Sequence, residues 1–179
     1  VLGEDELKQR SLTGWRARLS EDQAPEQVWA MIPKDLKKQP ELVAAFARAV
    51  SLQEGGDRTL ALAELKSALQ HSWDSELVNL YGAMKGEKPR DQLAAAEGWL
   101  KQHPDDAALL LALGRISLMN EEWDKAREYL ETSLRLEPGP AVYSELGRLC
   151  SAMGDVERGN EYLLLSAADV PELPLPVRG

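Results

Sequence analysis

Apolar residues recur every three or four positions along almost the whole chain, which is the spacing of an amphipathic helix. Leu, Ala, Glu, Lys and Arg, which favour helices, dominate the composition, and no run of alternating β-branched residues occurs. Proline and glycine fall between the apolar segments, where they end helices. The pattern predicts an all-α chain with helices at 4–19, 24–38 (broken at Pro33), 41–54, 57–70, 75–85, 90–102, 106–118, 122–135, 140–152 and 155–167.

A unit of about 33 residues repeats along the second half of the chain. The clearest matches at this offset are Leu113 with Leu146, Gly114 with Gly147, Arg115 with Arg148, Ala126 with Gly159, Leu130 with Leu163, and Pro138 with Pro171. The small residues Ala47 and Gly82 extend the pattern backwards, with spacings of 35 and 32 residues up to Gly114. A small residue in a first helix lets the second helix approach closely, and proline then ends the pair.

These units predict the organisation of the whole chain. Residues 40–168 form four helix pairs, at about 41–70, 75–102, 106–135 and 140–167, and residues 1–39 form a degenerate leading pair that caps them. The segment 169–179 is rich in proline and is predicted to be an extended tail. Because one pair cannot bury its apolar face alone, we expect the pairs to stack into a right-handed α-solenoid with a concave and a convex surface.

Composition narrows the range of functions. The 179 residues include 21 Lys and Arg against 30 Asp and Glu, so the net charge is −9, which argues against nucleic acid and anionic lipid as partners. A single cysteine excludes an intrachain disulfide, and two histidines leave little room for a metal site. No apolar run is long enough to span a membrane. Because the chain begins at Val1, we expect a fragment or a processed form.

No catalytic constellation is present in the sequence. Gly55 and Gly56 form a turn between helices and lack the strand that a phosphate-binding loop needs. The sequence therefore predicts no catalytic residue, no metal ligand and no cofactor-binding residue, and an enzyme is not expected.

The 33-residue pattern resembles the tetratricopeptide repeat (TPR). Four stretches, 73–82, 93–106, 109–115 and 123–131, resemble more closely the C-terminal region of the bacterial HemY family, which is named for a late step of protohaem synthesis. The resemblance covers most of residues 10–168. It implies an N-terminal part with two helices in the inner membrane and a repeat domain that faces the cytoplasm, and it supplies no catalytic residues. The unit 75–106 departs from the TPR pattern at its Gly86–Pro89 turn and at Gln102, so we expect an irregularity there.

A concave groove is the candidate binding site. Arg48, Arg115 and Arg148 each follow the small residue of a first helix, a TPR position that faces the groove, and together they could clamp a carboxylate or phosphate. In the alternative, each arginine pairs with an acidic residue of a neighbouring helix. An apolar floor beside Arg115, suited to an amphipathic partner helix, is predicted at Leu111, Leu118 and Met119; in the alternative these side chains only pack helix against helix.

Several other residues have a functional and a structural interpretation, and the structural one is favoured for each. His103 is either an axial haem ligand or part of a turn in which Asp105 caps the next helix. His71 ends a helix, and Cys150 is expected to be a buried, inert thiol. Five tryptophans are expected to pack within or between repeats, although one could stack on a flat macrocycle; they are Trp15, Trp29, Trp73, Trp99 and Trp123.

Two functional hypotheses follow. In the first, the chain is a non-enzymatic TPR scaffold of a membrane-anchored bacterial factor, and it recruits or organises the enzymes of late haem (protohaem IX) biosynthesis. In the second, it is a carrier that binds porphyrin or haem directly and passes it on. The expected partners are proteins, with tetrapyrrole as the alternative ligand and no nucleic acid.

Overall fold

The computed structural model describes residues 3–167, and this part of the chain is all-helical, as the periodicity predicts. The helices are α1 (Glu4–Glu21), α2 (Pro25–Met31), α3 (Pro40–Leu52), α4 (Arg58–His71), α5 (Ser75–Ala83), α6 (Pro89–Trp99), α7 (Ala107–Met119), α8 (Trp123–Leu136), α9 (Pro140–Ala152) and α10 (Val156–Ser166), with a short 3₁₀ turn at Leu36–Lys38 between α2 and α3. The predicted tail, 169–179, lies outside the described residues.

The helix boundaries follow from local chemistry. Proline occupies the first turn of α2, α3, α6 and α9, where its missing N–H leaves no hydrogen bond unmade. An aspartate caps each of α4, α5, α7 and α10 by accepting a hydrogen bond from a backbone N–H three residues later. At α7 the cap is Asp106, which accepts from the N–H of Leu109 at 2.9 Å. The prediction that Asp105 caps this helix is therefore wrong by one residue.

The helices form an α-solenoid of TPR-like pairs. We call α3 and α4 unit one, α5 and α6 unit two, α7 and α8 unit three, and α9 and α10 unit four. Before them, α1 and α2 both pack against α3. The indole of Trp29 in α2 stacks on the ring of Phe46 in α3, with 4.5 Å between the ring centroids.

Glycines in the first helices let neighbouring helices approach, as the repeat pattern predicts. A Cβ on Gly114 would lie 2.6 Å from Leu130 of α8, and a Cβ on Gly147 would lie 2.6 Å from Leu163 of α10. In both units, therefore, the leucine of the second helix fills the space that the glycine leaves.

Unit two is irregular, and its glycine has a different neighbour. A Cβ on Gly82 of α5 would overlap Ala112 of α7, a first helix rather than the second helix of its own unit. Accordingly, α5 makes its main contact with α7 and not with α6. The side chain of Gln92 holds the α5–α6 turn, since its Nε2 donates to the carbonyl oxygens of Tyr81 and Met84 at 2.8 Å each.

Nearly all buried apolar residues of the described part fall into two clusters. The larger one runs from Leu12 in α1 to Ile116 in α7 and joins the leading helices to units one to three. The smaller one comprises Ala126, Leu130, Val142, Leu146 and Leu149, and joins α8 to α9. Within residues 3–167, no helix has both the length and the apolar character that crossing a membrane requires.

Candidate functional site

Arg48 lies on the surface of unit one. Its guanidinium contacts the carboxylate of Glu76 in α5, and both side chains are about half exposed. The pair joins the first helices of two successive units, as the alternative interpretation of the arginines expected. An exposed ion pair of this kind contributes at most about 1 kcal/mol to stability.

Arg115 and Arg148 converge on one carboxylate in the first helices of units three and four. Nε of Arg115 donates to Oε1 of Glu145 at 3.0 Å, and Nη1 of Arg148 contacts Oε2 of Glu145 at 3.3 Å. The Glu145 side chain is only 13% exposed, whereas that of Arg148 is 71% exposed. Two cations therefore share one anion, and the more exposed cation has most of its surface free for a ligand.

A cavity of about 660 Å³ lies beside this charge cluster. We call it the seam groove; it lies between unit three and α9, and its lining residues are Leu118, Trp123, Glu145, Arg148, Leu149, Ala152 and Met153. Trp123 and Met153 are 47% and 45% exposed, so two large apolar side chains meet solvent here. The groove thus combines an apolar floor with a charged edge.

The three predicted floor residues line three different cavities. Leu118 lines the seam groove together with Arg148. Leu111 lines a second cavity of about 510 Å³, which is bordered by Asp106 of unit three and Val142 of unit four. Met119 lines a third cavity of about 450 Å³ beside Pro89 of α6. Of the six predicted residues, the seam groove and its charge cluster unite Arg115, Arg148 and Leu118.

Sequence reasoning missed Glu145, and a signal for it was present. Two residues before the small residue of each first helix, the chain has Ala45, Leu80, Ala112 and Glu145. Only the last is charged, and a carboxylate at a position that is otherwise apolar indicates a special partner. Trp123 and Met153 were missed as groove residues because no periodicity tells a half-exposed apolar side chain from a packed one. Leu149 was missed because it is buried like the other core leucines.

His103 belongs to an aromatic cluster between units two and three. Its ring stacks on the indole of Trp73 with 3.7 Å between centroids, and Trp99 meets the same indole edge-on. Nε1 of Trp73 donates to Oδ2 of Asp106 at 2.7 Å. These contacts are the inter-repeat packing expected for Trp73 and Trp99, and they place His103 in a turn, as expected. The same expectation is wrong for Trp123, which is 47% exposed and lines the seam groove.

Two other singled-out residues take structural positions. Cys150 is buried, and burial raises the pKa of its thiol, so it stays protonated and weakly reactive. His71 is at the end of α4, where Nδ1 lies 2.9 Å from the carbonyl oxygen of Ser67. Within residues 3–167, no group of three His, Cys, Asp or Glu side chains is placed to hold a metal ion.

A second polar cluster ties α6 to α8. Oε1 of Glu97 accepts hydrogen bonds from Nζ of Lys125 at 3.2 Å and from the hydroxyl of Tyr129 at 3.0 Å. Burial, helped by the hydrogen bond to Glu97, raises the pKa of Tyr129 to about 12. Hydrogen bonds to Glu122 and Glu97 raise the pKa of Lys125. Every member has a partner, so the cluster stabilises the packing of units two and three and presents no free reactive group.

The fold places the chain among TPR-type α-solenoids. No family model and no curated protein matches the sequence. Among solved structures, TTC0263, a thermophilic TPR protein of Thermus thermophilus, is 20% identical over 93% of this chain and 88% of its own, with a TM-score of 0.57.

Two structures of MamA also match. The RS-1 ArsTM double mutant of MamA is 19% identical over 94% of this chain and 96% of its own, with a TM-score of 0.55. MamA from residue 41 to its end, from Desulfovibrio magneticus RS-1, is 17% identical over the same shares, with a TM-score of 0.51. At these identities the likeness shows the fold alone.

Proposed function

We propose that this chain is a non-enzymatic protein-interaction module that binds a segment of a partner protein in the seam groove. One observation carries the proposal: Trp123 and Met153, both about half exposed, line a cavity of about 660 Å³ beside Arg148. Large aromatic side chains and arginine are the residues that most often dominate binding energy at protein interfaces. Covering the two apolar side chains removes their surface from water, which favours an apolar segment as the ligand.

The sequence resemblance supports a more specific role for the same module. The resemblance of four stretches to the HemY family implies that the full-length protein is held in the bacterial inner membrane by a preceding segment. The repeats would then face the cytoplasm. The partner would be an enzyme of late haem synthesis, which the scaffold recruits or organises. This role rests on the resemblance alone.

A capture experiment with designed variants tests the groove. The bait is this domain, incubated with detergent-solubilised bacterial membranes, and the retained proteins are identified by mass spectrometry. We expect an enzyme of haem synthesis to be retained by the unchanged bait and lost with Trp123→Ala and with Arg148→Glu. Arg48→Glu is the control, because Arg48 also pairs with a glutamate but lies outside the groove.

The outcomes separate the binding site from the identity of the partner. Loss with Arg48→Glu as well would show that general charge, not the groove, retains the protein. Retention by every variant would show that the partner binds elsewhere on the solenoid. Selective loss of a protein unrelated to haem would support the groove and overturn the haem role.

The carrier hypothesis stays a prediction and has its own test. His103, its candidate ligand, is engaged in the stack with Trp73. A visible-absorbance titration with haem would have to give a shifted Soret band that His103→Ala abolishes. An unshifted spectrum would leave the scaffold as the function to pursue.

A further inference from the structure

The charges at the seam groove do not balance once the residue behind its lining is counted. Of the lining residues, only Glu145 and Arg148 are charged, so the lining alone is neutral. Arg115 is not part of the lining, yet its Nε donates to Oε1 of Glu145 at 3.0 Å. Two arginines thus share one carboxylate, and the edge of the groove is positive in a chain whose net charge is −9.

The two ion pairs of Glu145 are unequal. The side chain of Arg115 is 22% exposed, whereas that of Arg148 is 71% exposed and its contact with Glu145 is longer. Water and salt weaken an exposed ion pair more than a shielded one. Within the described residues, neither arginine has a second acidic partner. Arg115 therefore takes up most of the charge of Glu145, and Arg148 keeps its own charge for a ligand.

We propose that the seam groove selects a partner segment in which an acidic side chain lies close to apolar ones, and that Arg115 sets this preference without touching the ligand. The inference rests on the proposed function, since it concerns the ligand of the same groove. The carboxylate of the ligand pairs with Arg148, and its apolar side chains cover Trp123 and Met153. Arg115 is a positioning residue, because it neutralises Glu145, which would otherwise satisfy Arg148.

The groove also limits how far apart the acid and the apolar side chain of the ligand lie. Arg148 and Met153 are five residues apart at the end of α9, which corresponds to about 7.5 Å along the helix axis. An extended chain covers this distance in about two residues, and a helix covers it in about five. One short segment can therefore contact both residues.

A basic segment is disfavoured at the same place. A lysine or arginine of a ligand would approach Arg148 while the nearby carboxylate of Glu145 is already held by Arg115, and juxtaposed like charges oppose binding. The net charge of −9 attracts basic proteins to the chain as a whole. A preference for acidic ligands is therefore opposite to what the overall charge predicts, and it arises from three side chains.

Peptide selection followed by affinity measurement tests the inference. Random peptides displayed on phage are selected on this chain, and those that fail to bind Trp123→Ala are kept as groove ligands. We expect acidic residues to be enriched among them. One such peptide is synthesised with its acid and as a twin with the corresponding amide. The acidic peptide should bind about fivefold more tightly than its twin, which is the upper range for an exposed ion pair.

Variants of the charge cluster separate the role of Arg115 from that of a direct contact. Arg115→Gln should bring the affinity ratio of the two peptides close to one, because Glu145 then neutralises Arg148. Glu145→Gln should raise the ratio, since both arginines lose their anion. Arg48→Gln is the control and should leave the ratio unchanged, because Arg48 pairs with Glu76 outside the groove. Each ratio compares two peptides on one variant, so a loss of stability affects both affinities alike.

Three results would overturn the inference, and they have different consequences. A ratio unchanged by Arg115→Gln would show that Arg148 provides the preference by itself. Groove ligands without an excess of acidic residues would overturn the inference and leave the proposed function standing. If every selected peptide still binds Trp123→Ala, the groove takes no apolar segment, and the proposed function falls together with the inference.

Discussion

Units two and three meet where Gly82 of α5 lies against Ala112 of α7, whereas units three and four meet across two cavities and a shared carboxylate. In the first junction, two first helices approach closely and their side chains belong to one buried cluster. In the second, α7 reaches α9 through the ion pair of Arg115 with Glu145 and through Leu111 and Leu118, which pack against the smaller cluster. One repeat pattern therefore builds two kinds of junction.

A single sequence position accounts for much of this difference. Ala112 faces the preceding first helix, and the residue 33 positions later is Glu145. A methyl group at this position permits close approach of the helices, while a carboxylate needs a polar partner and room for it. The open junction is therefore where a candidate binding groove forms. A solenoid gains such a site where its packing is incomplete, and the close junction keeps the remaining units in register.

The largest expected effects come from the two buried clusters. Leu113→Ala and Leu146→Ala each remove a fully buried side chain and should lower the free energy of unfolding by about 2–5 kcal/mol. Because Leu146 lies in the separate smaller cluster, its loss should speed amide exchange mainly in α8, α9 and α10. Leu113→Ala should act on α5 and α7. Equal effects on all helices would show that the clusters unfold as one unit.

Close approach at the first junction gives the next prediction. Gly82→Ala should destabilise the chain by about 1–3 kcal/mol, because its methyl group overlaps Ala112 and forces the helices apart. Gly98→Ala, in α6, meets no atom within 4 Å and should gain up to about 1 kcal/mol from helix propensity. Urea unfolding measures both. A neutral Gly82→Ala would mean that α5 and α7 can separate at little cost.

The shared carboxylate should matter less than the buried leucines. Glu145→Gln leaves two arginines without their anion and should cost about 1 kcal/mol, since Glu145 is largely buried. Glu76→Gln, at the exposed pair with Arg48, should cost less than about 0.5 kcal/mol. Thermal unfolding of the two variants at low and high salt measures both losses of stability. A larger effect at Glu76 would contradict the distinction between the two pairs.

Expected effects of a similar, small size concern the turns within units three and four. Glu121 has a φ of 60°, and the residue 33 positions later is Gly154, with a φ of 94°. Left-handed backbone suits glycine, so Glu121→Gly should stabilise the chain by up to about 1 kcal/mol. Gly154→Ala should destabilise it by about the same amount. A loss of stability in Glu121→Gly would show that its side chain makes a contact worth more than the strain.

Sequence periodicity predicted the architecture well because it reports on packing that every unit repeats. The all-helical fold follows from apolar residues at helical spacing, and the close approach at Gly114 and Gly147 follows from small residues at a fixed offset. An irregularity in unit two was expected from its Gly86–Pro89 turn and from Gln102, and the structure shows one in the packing of α5 on α7. Side-chain pairing does not repeat in this way. Arg48 and Arg115 occupy equivalent places, yet one pairs at the surface and the other beside a cavity.

The sequence did not predict the distances between helices of different units, because these distances also differ from one unit to the next. The assignment of Leu111 and Leu118 to two different cavities depends on how α9 packs against unit three, and Met119 instead lines a cavity beside the start of α6. The 33-residue spacing does not encode these distances. Asp105 was predicted as the cap of α7, but Asp106 is the cap. Two adjacent aspartates leave the first residue of the helix ambiguous in the sequence.

Asp106 has two tasks, and this limits how the chain can change. One of its oxygens starts α7 by accepting from Leu109, and the other holds the indole of Trp73 in the preceding unit. Replacing Asp106 therefore removes the cap of α7 and the hydrogen bond to Trp73 together. A copy of unit three placed elsewhere in the solenoid would keep the second hydrogen bond only behind a unit with an indole N–H at the same place, so Asp106 matches unit three to its present neighbour.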